Sequence, residues 1–214
     1  MILIKKQKEP DAWLRYRLTP NVDYQSIPEL VEPLYKEQGY ICAYCMRRIP
    51  HRDSVSNEGH RIEHMLSREK HDDKKLDYNN MVICCPGHIG TEDHCDKNKG
   101  SDDISFSLFD NVFINSLSYS NDGCIKSSND IYDKELNDIL NLNTALLKAN
   151  RKSMIDELVK GIQSYVKRNG KLDKSFLCHM IEKYSSMYSK DEKQVYYPYC
   201  GVAIYYLQKK LNKL

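Results

Sequence analysis

Apolar residues in this chain fall into two regimes. Through the first part they form short clusters broken by charge, glycine and proline, and from Asp133 onward they recur at helical spacing. In the first regime, residues 27–38 are predicted to form a short helix, with Pro28 in its first turn, Leu30, Val31 and Leu34 as its buried stripe, and Gly39 as its stop. The residues around it, 1–40, read as a polar lead-in. Met81, Val82 and Ile83 read as a buried strand entered by an Asn79-Asn80 turn. Ile62 reads as the inward residue of a short extended stretch in which Glu63 and its alternate neighbour face out. Residues 112–119 and 124–127 flank Asn121-Asp122-Gly123, which predicts a β-hairpin.

The second regime carries one long stripe that includes Leu136, Leu140, Leu147, Ile155, Leu158, Ile162 and Val166. It stops at Asn169-Gly170, with 141–143 as a candidate break. Further helices are predicted over 174–188 and 199–211. The pattern predicts an α+β chain in three stretches: a lead-in and helix over 1–40, a chemistry-bearing module over 41–130 and a helical region over 131–214.

Composition narrows the function classes. Lysine plus arginine at 32 against aspartate plus glutamate at 30 leaves a net charge of +2, so the chain is no polycation and any phosphate contact must come from local clusters. Lys5, Lys6, Lys8, Arg15 and Arg17 read as solvated surface first and as phosphate contacts second. No segment approaches the roughly 20 apolar residues that span a bilayer, and the N-terminal apolar run is too short for a secretory signal, so a cytosolic protein with no membrane partner is expected. In a reducing compartment the eight cysteines, with their C-x-x-C spacing, point to metal before disulfide. Tyrosine, at 16 against four phenylalanines, is abundant, and Tyr196, Tyr197, Tyr199, Tyr205 and Tyr206 read as core or as a partner surface.

Candidate chemistry is concentrated between Cys42 and Gly100. Cys42 and Cys45 supply half of a tetrahedral zinc cage from one tight loop. Cys84, Cys85, His88, His94 and Cys95 are candidates for the other half; Cys85, before a Pro-Gly turn, and Cys95, opening a helix-like run, are the choice, with Cys84 or His88 as substitutes. Glu63 can hold Mg²⁺ through oxygen, and His64 beside it can take a proton from water near neutral pH. Asn80 can fix the loop that bears His64, or serve turn chemistry alone. Asp96 and Asn98 do not share a helical face, so one of the two is expected to reach the metal. Lys97 and Lys99 read equally well as phosphate partners and as solvated turn residues.

The order Cys42-x-x-Cys45, Glu63-His64, Asn80, Cys85, Cys95-Asp-x-Asn-Lys-Gly resembles the HNH (His-Me finger) endonuclease pattern. Over about residues 5–100, with KEPDAWLRYRLTP, QGYICAYCMRRI and RIEH, the chain is similar to the PtuB-like family of Septu and retron-associated anti-phage systems. The resemblance implies a zinc-stabilised ββα-metal core with a β-hairpin and a helical C-terminal part. It also implies His64 as general base, Glu63 as metal ligand, Asn80 as orienting residue, and Asp96 or Asn98 in the third signature position. There histidine is common elsewhere, and an oxygen donor favours Mg²⁺ or Mn²⁺. The second cysteine pair departs from C-x-x-C, being split by PGHIGTEDH. The implied activity is hydrolysis of nucleic-acid phosphodiester bonds, DNA before RNA, in complex with a PtuA-like ABC/SMC-type ATPase and in some systems a retron reverse transcriptase with its RNA–DNA hybrid. The competing readings are an RNA target such as tRNA, and a non-catalytic zinc adaptor that docks an ATPase.

Overall fold

A computed structural model of the chain describes residues 1–49, 59–89 and 92–214. The N-terminal stretch is more than a polar lead-in. Met1, Ile4 and Trp13 are buried, the Ile4 N–H donates to the Leu108 carbonyl at 3.0 Å, and the Trp13 indole N–H donates to the Leu76 carbonyl at 3.2 Å. Trp13 lies on α1 (Asp11–Arg17), a helix absent from the sequence expectation because seven residues, with Trp13, Leu14 and Tyr16 set among charges, are too few to show a period. One buried tryptophan removes roughly 150–250 Å² from water, enough to pin so short an element.

Helix α2 (Pro28–Glu37) follows the prediction closely, with Leu30 and Leu34 fully buried. The chain turns beyond it at Gly39, whose φ is +55°. A Cβ there would lie 2.5 Å from Tyr196 Cδ2 and 2.8 Å from Tyr196 N, so only glycine allows the C-terminal segment this close.

Strand β1 (Arg61–His64) pairs antiparallel with β2 (Met81–Cys84), Arg61 opposite Cys84 and His64 opposite Met81. Glu63 and His64 are both buried, which corrects the outward-facing expectation for Glu63. The other edge of β2 is also covered. The Gln38 side chain bonds the Ile83 N–H at 2.7 Å and the Ile83 carbonyl at 2.8 Å, and the Ala43 N–H reaches that same carbonyl at 3.0 Å. A short ladder of β3 (His88–Ile89) and β4 (Glu92–Asp93) then leads to α3 (Asp96–Lys99), a single helical turn.

The predicted hairpin strand over 112–119 is in its first half a helix, α4 (Asn111–Ser116). The carboxylate of Asp110 accepts the Val112 N–H at 2.9 Å as an N-cap, and buried Phe113 stacks on Phe106 at 3.8 Å between ring centroids. The hairpin is β5 (Leu117–Tyr119) with β6 (Ile125–Ser127), turning at Gly123 with φ +86°. Helix α5 (Asp130–Lys134) runs into a π-turn over Glu135–Ile139, and Asn141 at φ +46° makes the break. Thr144 caps α6 (Ala145–Asn169), which ends at Gly170, φ +81°. After α7 (Lys174–Ser185), a hairpin of β7 (Tyr188–Lys190) and β8 (Lys193–Val195) occupies residues where the periodicity missed any strand. Helix α8 (Cys200–Leu211) packs against α6, α7 and β5. The architecture is α+β, helices mixed with small two-stranded antiparallel sheets. No described helix is long and apolar enough to cross a membrane.

Candidate metal centre and acid–base cleft

The sulfur atoms of Cys42, Cys45, Cys85 and Cys95 all lie within 4.8 Å of one another, and all four residues are buried. Cys42 and Cys95 are 3.9 Å apart and Cys45 and Cys85 3.7 Å. A tetrahedral ion with Zn–S bonds of about 2.3 Å sets its sulfurs roughly 3.8 Å apart, so the cage has the size of a structural zinc site. Burial pushes the thiols of Cys45 and Cys95 well above their usual range, while at Cys42 hydrogen bonds from the neighbouring thiols overcome burial and pull it well below. Four buried cysteines this close can hold one metal ion among them, the cation taking the place of the thiol protons.

Local chain geometry explains the convergence. The Cys42 N–H donates to the Arg47 carbonyl at 2.9 Å and the Met46 N–H to the Cys42 carbonyl at 3.0 Å, closing the C-x-x-C loop. Gly87, φ +71°, takes the chain beyond Cys85 around a turn in which a Cβ would meet the His94 carbonyl at 2.3 Å. The Cys95 N–H then anchors on the Leu140 carbonyl at 2.8 Å. Cys84 is not one of the four mutually close sulfurs, its thiol touching Cys42 alone among them, and His88 bonds Asp93 at 2.6 Å. His94 places Nδ1 3.1 Å from the Cys95 sulfur, a supporting contact for a ligand and not a ligand itself.

Beside the cage, Glu63, His64 and Asp96 line one cleft of about 510 Å³. Glu63 Oε1 accepts the Tyr44 hydroxyl at 2.9 Å and faces the Lys99 ammonium at 3.0 Å, both side chains being almost wholly buried. Burial first, and then the neighbouring Asp96 carboxylate, hold the Glu63 carboxyl well above the usual range despite Lys99. Asp96, the first residue of α3, is paired with the Arg61 guanidinium.

His64 is held by its Nε2–H, which donates to the Lys75 carbonyl at 3.0 Å and leaves Nδ1 as the basic nitrogen. Burial lowers the imidazole pKa to about 4, so the ring is neutral at physiological pH. Tyr24 packs edge-on against it at 4.6 Å, with the Arg68 guanidinium 4.5 Å from the Tyr24 ring. Asn80 fixes the surrounding loop at both ends. Its Oδ1 accepts the Leu66 N–H at 2.8 Å, and its Nδ2 donates to the Leu66 and Lys74 carbonyls at 2.9 and 3.2 Å.

Two expected residues stand elsewhere. Asn98 Nδ2 donates to the Asp138 and Ile139 carbonyls at 3.3 and 2.8 Å and does not line the cleft, so of the two oxygen donors only Asp96 does. Lys99 is buried on Glu63 and the His64 carbonyl, which removes it as a phosphate contact; Lys97 pairs with Asp93 at 3.2 Å. Tyr24, Tyr44, Arg61 and Arg68 escaped the sequence reading. Only Tyr44, inside the C-x-x-C loop, carried any signal of its place. No protein-family model matches the chain, and no curated protein matches it.

Proposed function

We propose that this chain is a metal-dependent phosphodiester hydrolase of the HNH type, with β1, β2 and α3 as its ββα unit and the cysteine cage as a structural zinc site. The observation that carries the reading is the meeting of a carbonyl-anchored, neutral His64 with two carboxylates, Glu63 and Asp96, in one cleft. Two carboxylates in a poorly solvated site are oxygen donors suited to Mg²⁺ or Mn²⁺. Glu63 and Asp96 would hold the ion; Lys99 pairs with Oε1 of Glu63, and Arg61, its side chain 52% exposed, pairs with Asp96 and would have to give way.

In this reading Nδ1 of His64 takes the proton of a water that attacks phosphorus in line. When bound, the ion supplies charge neutralisation at the scissile phosphate and the departing oxygen. Asn80 and the Lys75 carbonyl hold the imidazole in place, and Arg68, on the cleft rim, is a phosphate contact. The substrate is nucleic acid, DNA before RNA, and the partner is an ATPase of the ABC/SMC type, with a reverse transcriptase and its RNA–DNA hybrid in retron settings. A second reading, a zinc adaptor without catalysis, is favoured by the cations already paired to Glu63 and Asp96. The test incubates zinc-loaded protein, with and without a PtuA-like ATPase, with labelled duplex DNA, single-stranded DNA and RNA in Mg²⁺, Mn²⁺ or no divalent ion. Divalent-dependent cleavage is the expected result; no cleavage under any condition favours the adaptor.

A further inference from the structure

We infer that the trough running along α8 is a docking groove for an amphipathic helix of a partner protein, one with an acidic flank. The trough encloses about 730 Å³ and shares no lining residue with the acid–base cleft. Helix α8 buries Val202, Ala203 and Leu207 in the core, while a second stripe, Gly201, Ile204, Tyr205 and Gln208, continued by Asn212 just past its end, lines the trough. That stripe spans the 12-residue helix, roughly 18 Å at 1.5 Å per residue, or about three turns. A groove of this length, in which Ile2, Leu3, Ile114, Tyr196, Ile204 and Tyr205 are left half-exposed, matches the mode in which an amphipathic helix lays its apolar face into a trough.

Charge selects among helices. No lining residue of the trough is acidic, whereas exposed Lys5, Lys209 and Lys213 stand on it, and none of the three has a carboxylate partner among the described residues. In a chain whose charges almost cancel, 32 against 30, this is a local excess that an acidic flank would neutralise. Nucleic acid is a poorer occupant. Three lysines release few counterions, and an apolar floor contributes nothing to a phosphate backbone.

The test selects binders to the full-length, zinc-loaded chain from a displayed library of 16-residue helical peptides with aliphatic positions at i, i+4 and i+7 and randomised flanks. The enriched pool is expected to carry glutamate and aspartate flanks, and a Lys209→Glu/Lys213→Glu variant with unchanged zinc content should bind it at least tenfold more weakly. Basic or neutral flanks, binders indifferent to the double substitution, or no enrichment would overturn the inference. So would light scattering that shows a dimer dispersed by the same substitutions, because the occupant would then be a second copy of this chain.

Discussion

The ammonium of Lys99 lies 3.0 Å from Glu63 Oε1 and 3.1 Å from the carbonyl oxygen of His64, tying α3 to the end of β1 inside the protein. Burial alone favours a neutral Glu63, but an ammonium at 3.0 Å in the same dry pocket makes the ion pair the better-satisfied state, so removing one partner strands the other. Such a loss costs about 3–5 kcal/mol. Lys99→Met is therefore expected to lower the urea midpoint strongly, and adding Glu63→Gln should recover much of it. An unchanged midpoint in the single variant would contradict the pairing.

The sulfur cage predicts one tightly held zinc per chain. Cys42→Ser should lose the metal and lower the thermal midpoint, because binding energy at such a site is folding energy. Cys84→Ser should keep it, since Cys84 is not one of the four mutually close sulfurs. Metal analysis of the purified variants checks both, and zinc lost from the Cys84 variant would reassign a ligand.

Burial of His64 sets a pH dependence of stability. Its pKa falls from 6.5 to about 4 on folding, so between those values the unfolded chain binds more protons and stability falls as pH drops. The full effect is about 3 kcal/mol. Urea midpoints at pH 5 and pH 7 should differ less in His64→Gln than in the parent chain; an equal difference would place the sensitivity elsewhere.

Asn80 acts through position. Its side chain closes three hydrogen bonds to the loop whose Lys75 carbonyl holds the imidazole, so Asn80→Ala should lower cleavage by roughly 10- to 100-fold, as other supporting contacts do. Asn80→Asp keeps the acceptor for the Leu66 N–H and loses both donated bonds, and should fall between the two. Equal rates in all three proteins would leave Asn80 as turn chemistry.

Much of this arrangement was legible beforehand where residue type and spacing carry the physics. Two cysteines in C-x-x-C can serve one tetrahedral centre from one loop, and the α6 stripe and its glycine stop follow directly from helical periodicity. What stayed hidden depends on tertiary contact. Lys99 looks like any solvated lysine until Glu63 is seen to be buried beside it. The choice between Asp96 and Asn98 turns on the Asp138 and Ile139 carbonyls, about forty residues away, which no local pattern encodes. Residues 112–116 carry β-branched and aromatic side chains, yet the Asp110 cap and the Phe106–Phe113 stack win over strand propensity.

The most direct measurement is single-turnover cleavage of a labelled nucleic acid in Mg²⁺ by the parent chain and by His64→Ala, with the ATPase present and zinc content and melting temperature matched. Loss of the base should slow cleavage by about 10²- to 10⁴-fold. Cleavage by His64→Ala at the parent rate would contradict a hydrolytic role for this cleft.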